Sequence, residues 1–170
     1  MKPQVAVAAF TVFVAGIVLA NWAITTYGLV WVAPGLVAPA GVYFAAITFP
    51  ARDVLQRASN KWESLLAIAI GAGVSYLVSS STIATASALT FLCSETLDFV
   101  IYTPLQRRWF TPAVVASGIC AAALDSWIFL RLAGFGESAF WGTFVGKLWV
   151  VCLVGGPVAF GLRRRLTVTQ

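Results

Sequence analysis

The chain contains no histidine. That removes Ser-His-Asp and Cys-His catalysis, the HExxH zinc motif and imidazole metal sites. Charge is also scarce: acids and bases together make up 10% of 170 residues, and only six are acidic. Three cysteines stand apart at 93, 120 and 152 with no CxxC pair. The odd count and apolar neighbours suit small core residues better than disulfides or a metal cage. No Walker A sequence is present, so the chain does not hydrolyse ATP itself. Nothing in the sequence calls for a cofactor.

What is abundant is apolar sequence. Hydrophobic residues are 60% of the chain and the mean hydropathy is +0.90. Soluble domains are nearer half apolar and a quarter charged. The composition implies an all-α, polytopic integral membrane protein with one domain over residues 1–170. A bilayer span needs about 20 mostly apolar residues. Six segments qualify: Val5 to Ala23, Leu36 to Pro50, Ser64 to Val78, Thr82 to Thr103, Pro112 to Leu132, and Phe140 to Leu162. The second is entered through Pro34 and Pro39, and the second and third are short. The first, preceded by Lys2, also has a faint signal-peptide character, but its apolar core is longer than a usual h-region.

Basic residues set the expected orientation. Lys2, Arg52, Arg57, Lys61, Arg107, Arg108 and Arg163 to Arg165 fall at one end of such a bundle, which is nine of eleven Lys and Arg. Both termini are therefore expected in the cytoplasm, in a cell inner membrane. The positive charge reads as a topology signal and not as a nucleic-acid surface, and the final Arg run suits anionic lipid headgroups. Only a faint echo between spans two and five hints at inverted repeats. A thin bundle of this size suits a homodimer.

Four charges fall inside the spans: Glu95, Asp98, Asp125 and Lys147. A charge at mid-bilayer costs at least about 2.5–3.5 kcal/mol, so these groups should face one another or a water-filled cavity. From a rise of about 1.5 Å per residue, Asp125 and Lys147 lie about 9 and 10 Å below the outer surface, as a candidate ion pair. Glu95 and Asp98 form an inner level near Arg52 and Asp53. Glu95, Asp98 and Tyr102 share a helix face, with Ser87 and Ser94 extending it outward. Asp98 has Arg52 or Arg107 as partner, whereas no cation clearly reaches Glu95. An unpaired buried carboxylate should meet a ligand or water, which makes Glu95 a candidate site residue. Gly142 and Gly146 form a GxxxG that suits close helix packing.

FLCSETLDFVIY followed by ALDSWIFL resembles the signatures of the VUT-type membrane family, associated with queuosine-precursor transport. The matching residues are Ser94, Glu95 and Asp98, then Asp125, Ser126 and Phe129. Further echoes are Ala20-Asn21-Trp22, Arg52-Asp53 and Lys147. The chain departs from the family after Asp53, where VLQRASNKWE stands in place of an acid and glycine. The resemblance implies import of a 7-deazaguanine, as the 7-cyano base, the 7-aminomethyl base or queuine, for tRNA modification. It implies substrate contacts from Glu95, Asp98, Asp125, Lys147, Asn21, Asp53, Phe91 and Ser94.

Chemistry supports an acid in such a role. A guanine-type edge presents N–H and NH₂ side by side, and a carboxylate accepts both, with Glu95 the candidate for that contact. Phe91, Tyr43 or Trp127 are candidates to stack on the ring plane. Coupling is open between a proton-driven carrier and a facilitator. One rival reading is a substrate-binding membrane subunit served by a separate ATP-driven module. A membrane enzyme is disfavoured, because no nucleophile–base pair is evident.

Overall fold

A computed structural model describes residues 2–79, 83–164 and 166. The chain is almost entirely helical. Helix α1 (Lys2–Tyr27) leads into a short antiparallel hairpin, β1 (Leu29–Ala33) and β2 (Leu36–Pro39). Then come α2 (Val42–Ala58), α3 (Lys61–Val78), α4 (Ala84–Leu105) and α5 (Phe110–Ala133). A 3₁₀ turn (Glu137–Ala139) precedes the last rod, formed by α6 (Phe140–Val150), a π turn (Val151–Gly155) and α7 (Gly156–Leu162). Five of these rods are long and apolar enough to cross a membrane: Pro3–Tyr27, Lys61–Val78, Ala84–Leu105, Phe110–Ala133 and Phe140–Leu162.

The sixth rod, α2, differs from the expected second span. Residues 36–39 are strand, and the helix runs on to Ala58. The expected loop residues Arg52, Asp53, Gln56 and Arg57 therefore lie inside the bundle, all buried. Their pairing inside the bundle explains the shift, because charges that find partners there need not mark the end of a helix. The hairpin has its own local cause. Pro34 and Gly35 join two apolar strands, with Gly35 at φ +75°, the left-handed region that glycine enters without penalty.

Caps and small residues fix the packing. Asn60 caps α3: its side-chain oxygen accepts from the Trp62 and Glu63 backbone amides at 2.9 and 3.0 Å, and its amide donates to Glu63 Oε1 at 2.8 Å. Asn60 is thus the N-cap of α3, with Glu63 holding its side chain in place. A Cβ added to Gly142 would lie 2.0 Å from the carbonyl oxygen of Val37, so α6 touches the hairpin backbone directly. Gly41 approaches α1 as closely, at 2.2 Å from the Ala20 carbonyl oxygen. The GxxxG expectation thus holds, with the hairpin and α2 as the surfaces approached.

One apolar core joins Phe13 and Ile17 of α1, Val54 and Leu55 of α2, Tyr102 of α4, and Phe110 and Val114 of α5. A smaller one joins Phe49, Ala121, Ala122 and Val151. Outward faces are apolar too, including Leu66, Leu77, Val100, Leu153 and Phe160. The three cysteines do not fill the core as expected. Cys93, Cys120 and Cys152 are free and exposed on the outer faces of their helices.

Candidate functional site

The in-span charges and polar groups gather into two sites. The first is a pocket beside the hairpin. Its walls come from α1 (Ile17, Asn21), α2 (Val42, Thr48), α3 (Ser75), α4 (Ser87, Thr90, Phe91), α5 (Asp125, Phe129) and α6 (Thr143, Lys147), with Pro39 of β2 at its edge. The space between these atoms, counting the open solvent at the mouth, is ≈ 610 Å³.

One side of the pocket carries an ion pair. Lys147 Nζ donates to Asp125 Oδ2 and reaches Ser126 Oγ at 3.3 Å. Ser94 Oγ lies 3.2 Å from Asp125 Oδ1. The Asp125 side chain keeps 14% of its surface exposed, so the pair is sheltered but reachable. The pairing expected from the two depths is formed. Each carboxylate oxygen has a second lone pair, and Lys147 has a third proton beyond these two contacts.

The opposite side is a hydroxyl and amide cluster. Asn21 Oδ1 accepts from Ser79 Oγ at 2.6 Å and Ser87 Oγ at 3.0 Å. Ser75 Oγ donates to Ser87 Oγ at 3.1 Å, and Asn21 Nδ2 donates to the Ile17 carbonyl at 2.9 Å. These bonds tie α1, α3 and α4 together. Phe91 supplies an aromatic wall and packs 5.6 Å from Phe13, centroid to centroid. Thr90 Oγ1 is buried, lines the pocket, and has no hydrogen-bond partner.

The second site is a buried charge cluster. Arg52, Asp53, Glu95 and Asp98 are each 0% exposed. Arg52 Nε lies 3.2 Å from Glu95 Oε2, and Nη2 lies 2.5 Å from Asp98 Oδ2 and 2.9 Å from Asp53 Oδ1. Nη1 donates to Gln56 Oε1 at 3.0 Å, and Gln56 Nε2 donates to Thr103 Oγ1 at 3.0 Å. Tyr102 OH donates to the Asp53 carbonyl at 2.9 Å, and Ser117 Oγ approaches Asp53 Oδ2 at 3.4 Å. The guanidinium also lies 5.9 and 5.5 Å from the Phe99 and Tyr102 ring centroids. One turn further along α2, Arg57 donates to the carbonyls of Leu166 and Gln106 at 2.9 and 2.7 Å, binding three helix ends together.

The expected site residues thus divide. Asn21, Phe91, Asp125 and Lys147 line the pocket, and Ser94 stands behind Asp125. Asp53, Glu95 and Asp98 lie in the charge cluster and not in the pocket wall. Glu95 is not short of a cation, as Arg52 reaches it from α2. Of the other candidate stacking rings, Tyr43 and Trp127 face outward. Arg52, Thr90, Ser75 and Thr143 are the additions. Thr90 was legible, because it falls one turn from Ser87 and Ser94 on the same polar stripe. Arg52 is the partner expected for Asp98, and its reach to Glu95 was missed because it stands among residues that read as a basic loop.

No family model matches this chain, and neither a curated protein nor a solved structure matches it.

Proposed function

We propose that this chain is a transporter of the cell inner membrane that imports a 7-deazaguanine base for tRNA modification, working as a carrier or facilitator. The six rods would cross the bilayer with both termini in the cytoplasm and the hairpin outside. The apolar outer belt and the basic residues at one end of the bundle support that placement.

The observation that carries the reading is the Asp125–Lys147 pair beside Phe91 in the pocket next to the hairpin. A guanine-type edge offers an N–H and an NH₂ next to a carbonyl oxygen. Asp125 has free lone pairs for the two donors, and Lys147 has a free proton for the carbonyl. Phe91 offers a face for the ring plane. Thr90 Oγ1, buried without a partner, is available to a ring nitrogen or its substituent. The base contact first assigned to Glu95 passes to Asp125, because Arg52 already holds Glu95. A second reading, a capture subunit for a separate ATP-driven module, uses the same pocket and differs only in what powers release.

The test is queuosine content of tRNA in a bacterial host unable to make or import the precursors. The chain is expressed alone and each base is supplied in turn. Restoration by the wild type and loss in Asp125→Asn is the expected outcome. No restoration in cells that carry the protein in their membrane would refute self-sufficient import of these bases.

A further inference from the structure

The Arg52 cluster has one cation and three carboxylates, all without solvent exposure. Fully ionised, it would hold two uncompensated negative charges in the interior. No other charged side chain is bonded to it among the described residues. On α2 it meets Arg52, the neutral Gln56 and the Thr48 hydroxyl beside Glu95, on α4 Tyr102, and on α5 the Ser117 hydroxyl. Asp53 and Asp98 converge on a single nitrogen, Nη2, at 2.9 and 2.5 Å. The two carboxylates therefore compete for one donor, and like charges this close repel each other. Two oxygens of the cluster, Glu95 Oε1 and Asp98 Oδ1, are buried and have no hydrogen-bond partner. They are where a proton can be added without displacing an existing bond. No group of acidic side chains among the described residues is arranged to hold a metal ion.

We propose that Asp53, Glu95 and Asp98 around Arg52 form a proton-binding site, and that its protons drive or gate the pocket. A carboxylate takes H⁺ from water and becomes a neutral carboxyl, and the same O–H bond breaks when the proton leaves. No electron moves. A polar route runs from the cluster in both directions. Gln56 and Thr103 lead toward the end of the bundle where Arg57 binds Gln106. In the other direction Ser94, the residue before Glu95, contacts Asp125 in the pocket. Thr48 lines the pocket one helical turn before Arg52. Movement of this turn of α4 or α2 is therefore felt at both sites. The coupling rests on the transport reading, but the proton site itself does not.

The experiment is infrared spectroscopy of the purified, substrate-free chain in detergent, following the C=O stretch of protonated carboxyls as pH is varied. The expected result is a protonated-carboxyl band at neutral pH that shrinks in Glu95→Gln and in Asp98→Asn and fades as pH rises. Absence of the band at neutral pH would overturn the proposal. So would a band unchanged in Glu95→Gln, Asp98→Asn and Asp53→Asn. Should the variants fail to fold, the pH response of the wild-type band decides alone. A band that is absent while sodium, but not choline, raises thermal stability would replace the proton with a metal cation and also overturn it. Because no substrate is present, failure of the base-import reading leaves this result intact.

Discussion

Ser94 Oγ lies 3.2 Å from Asp125 Oδ1, and the next residue, Glu95, accepts from Arg52 Nε at 3.2 Å. Two adjacent residues of α4 thus face two different sites. One belongs to an open pocket and the other to a closed knot of charge. Helix geometry accounts for this, since successive side chains point about 100° apart around the axis.

Arg52 holds the knot together, so its loss should be severe. Arg52→Gln leaves buried carboxylates without a cation, and removing one partner of such a pair costs about 3–5 kcal/mol. Unfolding in mixed micelles should show that loss. Adding Asp98→Asn to Arg52→Gln should recover part of it, because one orphaned charge disappears. A single variant as stable as the wild type would contradict the role given to Arg52.

Gly142 should tolerate no side chain. Its Cβ would meet the Val37 carbonyl oxygen at 2.0 Å, and neither backbone can yield without moving the hairpin. Overpacking of this kind costs about 1–3 kcal/mol. Gly142→Ala should lower thermal stability and weaken base uptake together. Gly73→Ala, where nothing lies within 4 Å, is the control and should be neutral.

Asp125 and Lys147 should act as a unit. Asp125→Asn and Lys147→Gln should each weaken binding of the base, and the double variant should be no worse than the stronger single. Residues in direct contact typically show an interaction energy of about 0.5–3 kcal/mol in such a cycle. Additive losses would mean that the two side chains serve separate purposes.

The cysteines give a check on which faces meet lipid. Cys93, Cys120 and Cys152 are exposed on the bundle, yet they sit in segments long and apolar enough to cross a membrane. In intact membranes they should react with lipid-soluble maleimides and resist charged, impermeant thiol reagents. In denaturing detergent all three should react with both. Rapid labelling by the impermeant reagent in native membranes would place those faces in water.

Much of the fold was legible because apolar length is a strong signal. Helices α1, α3, α4 and α5 lie where the hydropathy of their segments puts them, within a few residues at the ends. The second span was misplaced because a hydropathy window treats each charge alone. Arg52 and Asp53 looked like a boundary, although paired charges can stay inside a bundle. The same window took Leu36 to Pro39 into the second span, when the Pro-Gly before Leu36, between two short apolar runs, marks a hairpin. Depth counting brought Asp125 and Lys147 together correctly and put Glu95 near Arg52. It did not tell which helix face Arg52 occupied, so Glu95 looked unpaired. The outward cysteines were missed because apolar neighbours describe a lipid-facing surface as well as a core.

The central claim is that Asp125, Lys147 and Phe91 hold a guanine-type base, while Glu95 serves the charge knot. The most direct measurement is equilibrium binding of radiolabelled 7-aminomethyl-7-deazaguanine and its 7-cyano analogue to the purified chain in nanodiscs. The account predicts saturable binding of at least one by the wild type, competed by the unlabelled base. It predicts loss of binding in Asp125→Asn and retention in folded Glu95→Gln. No saturable binding of either base, or binding abolished by Glu95→Gln and untouched by Asp125→Asn, would contradict it.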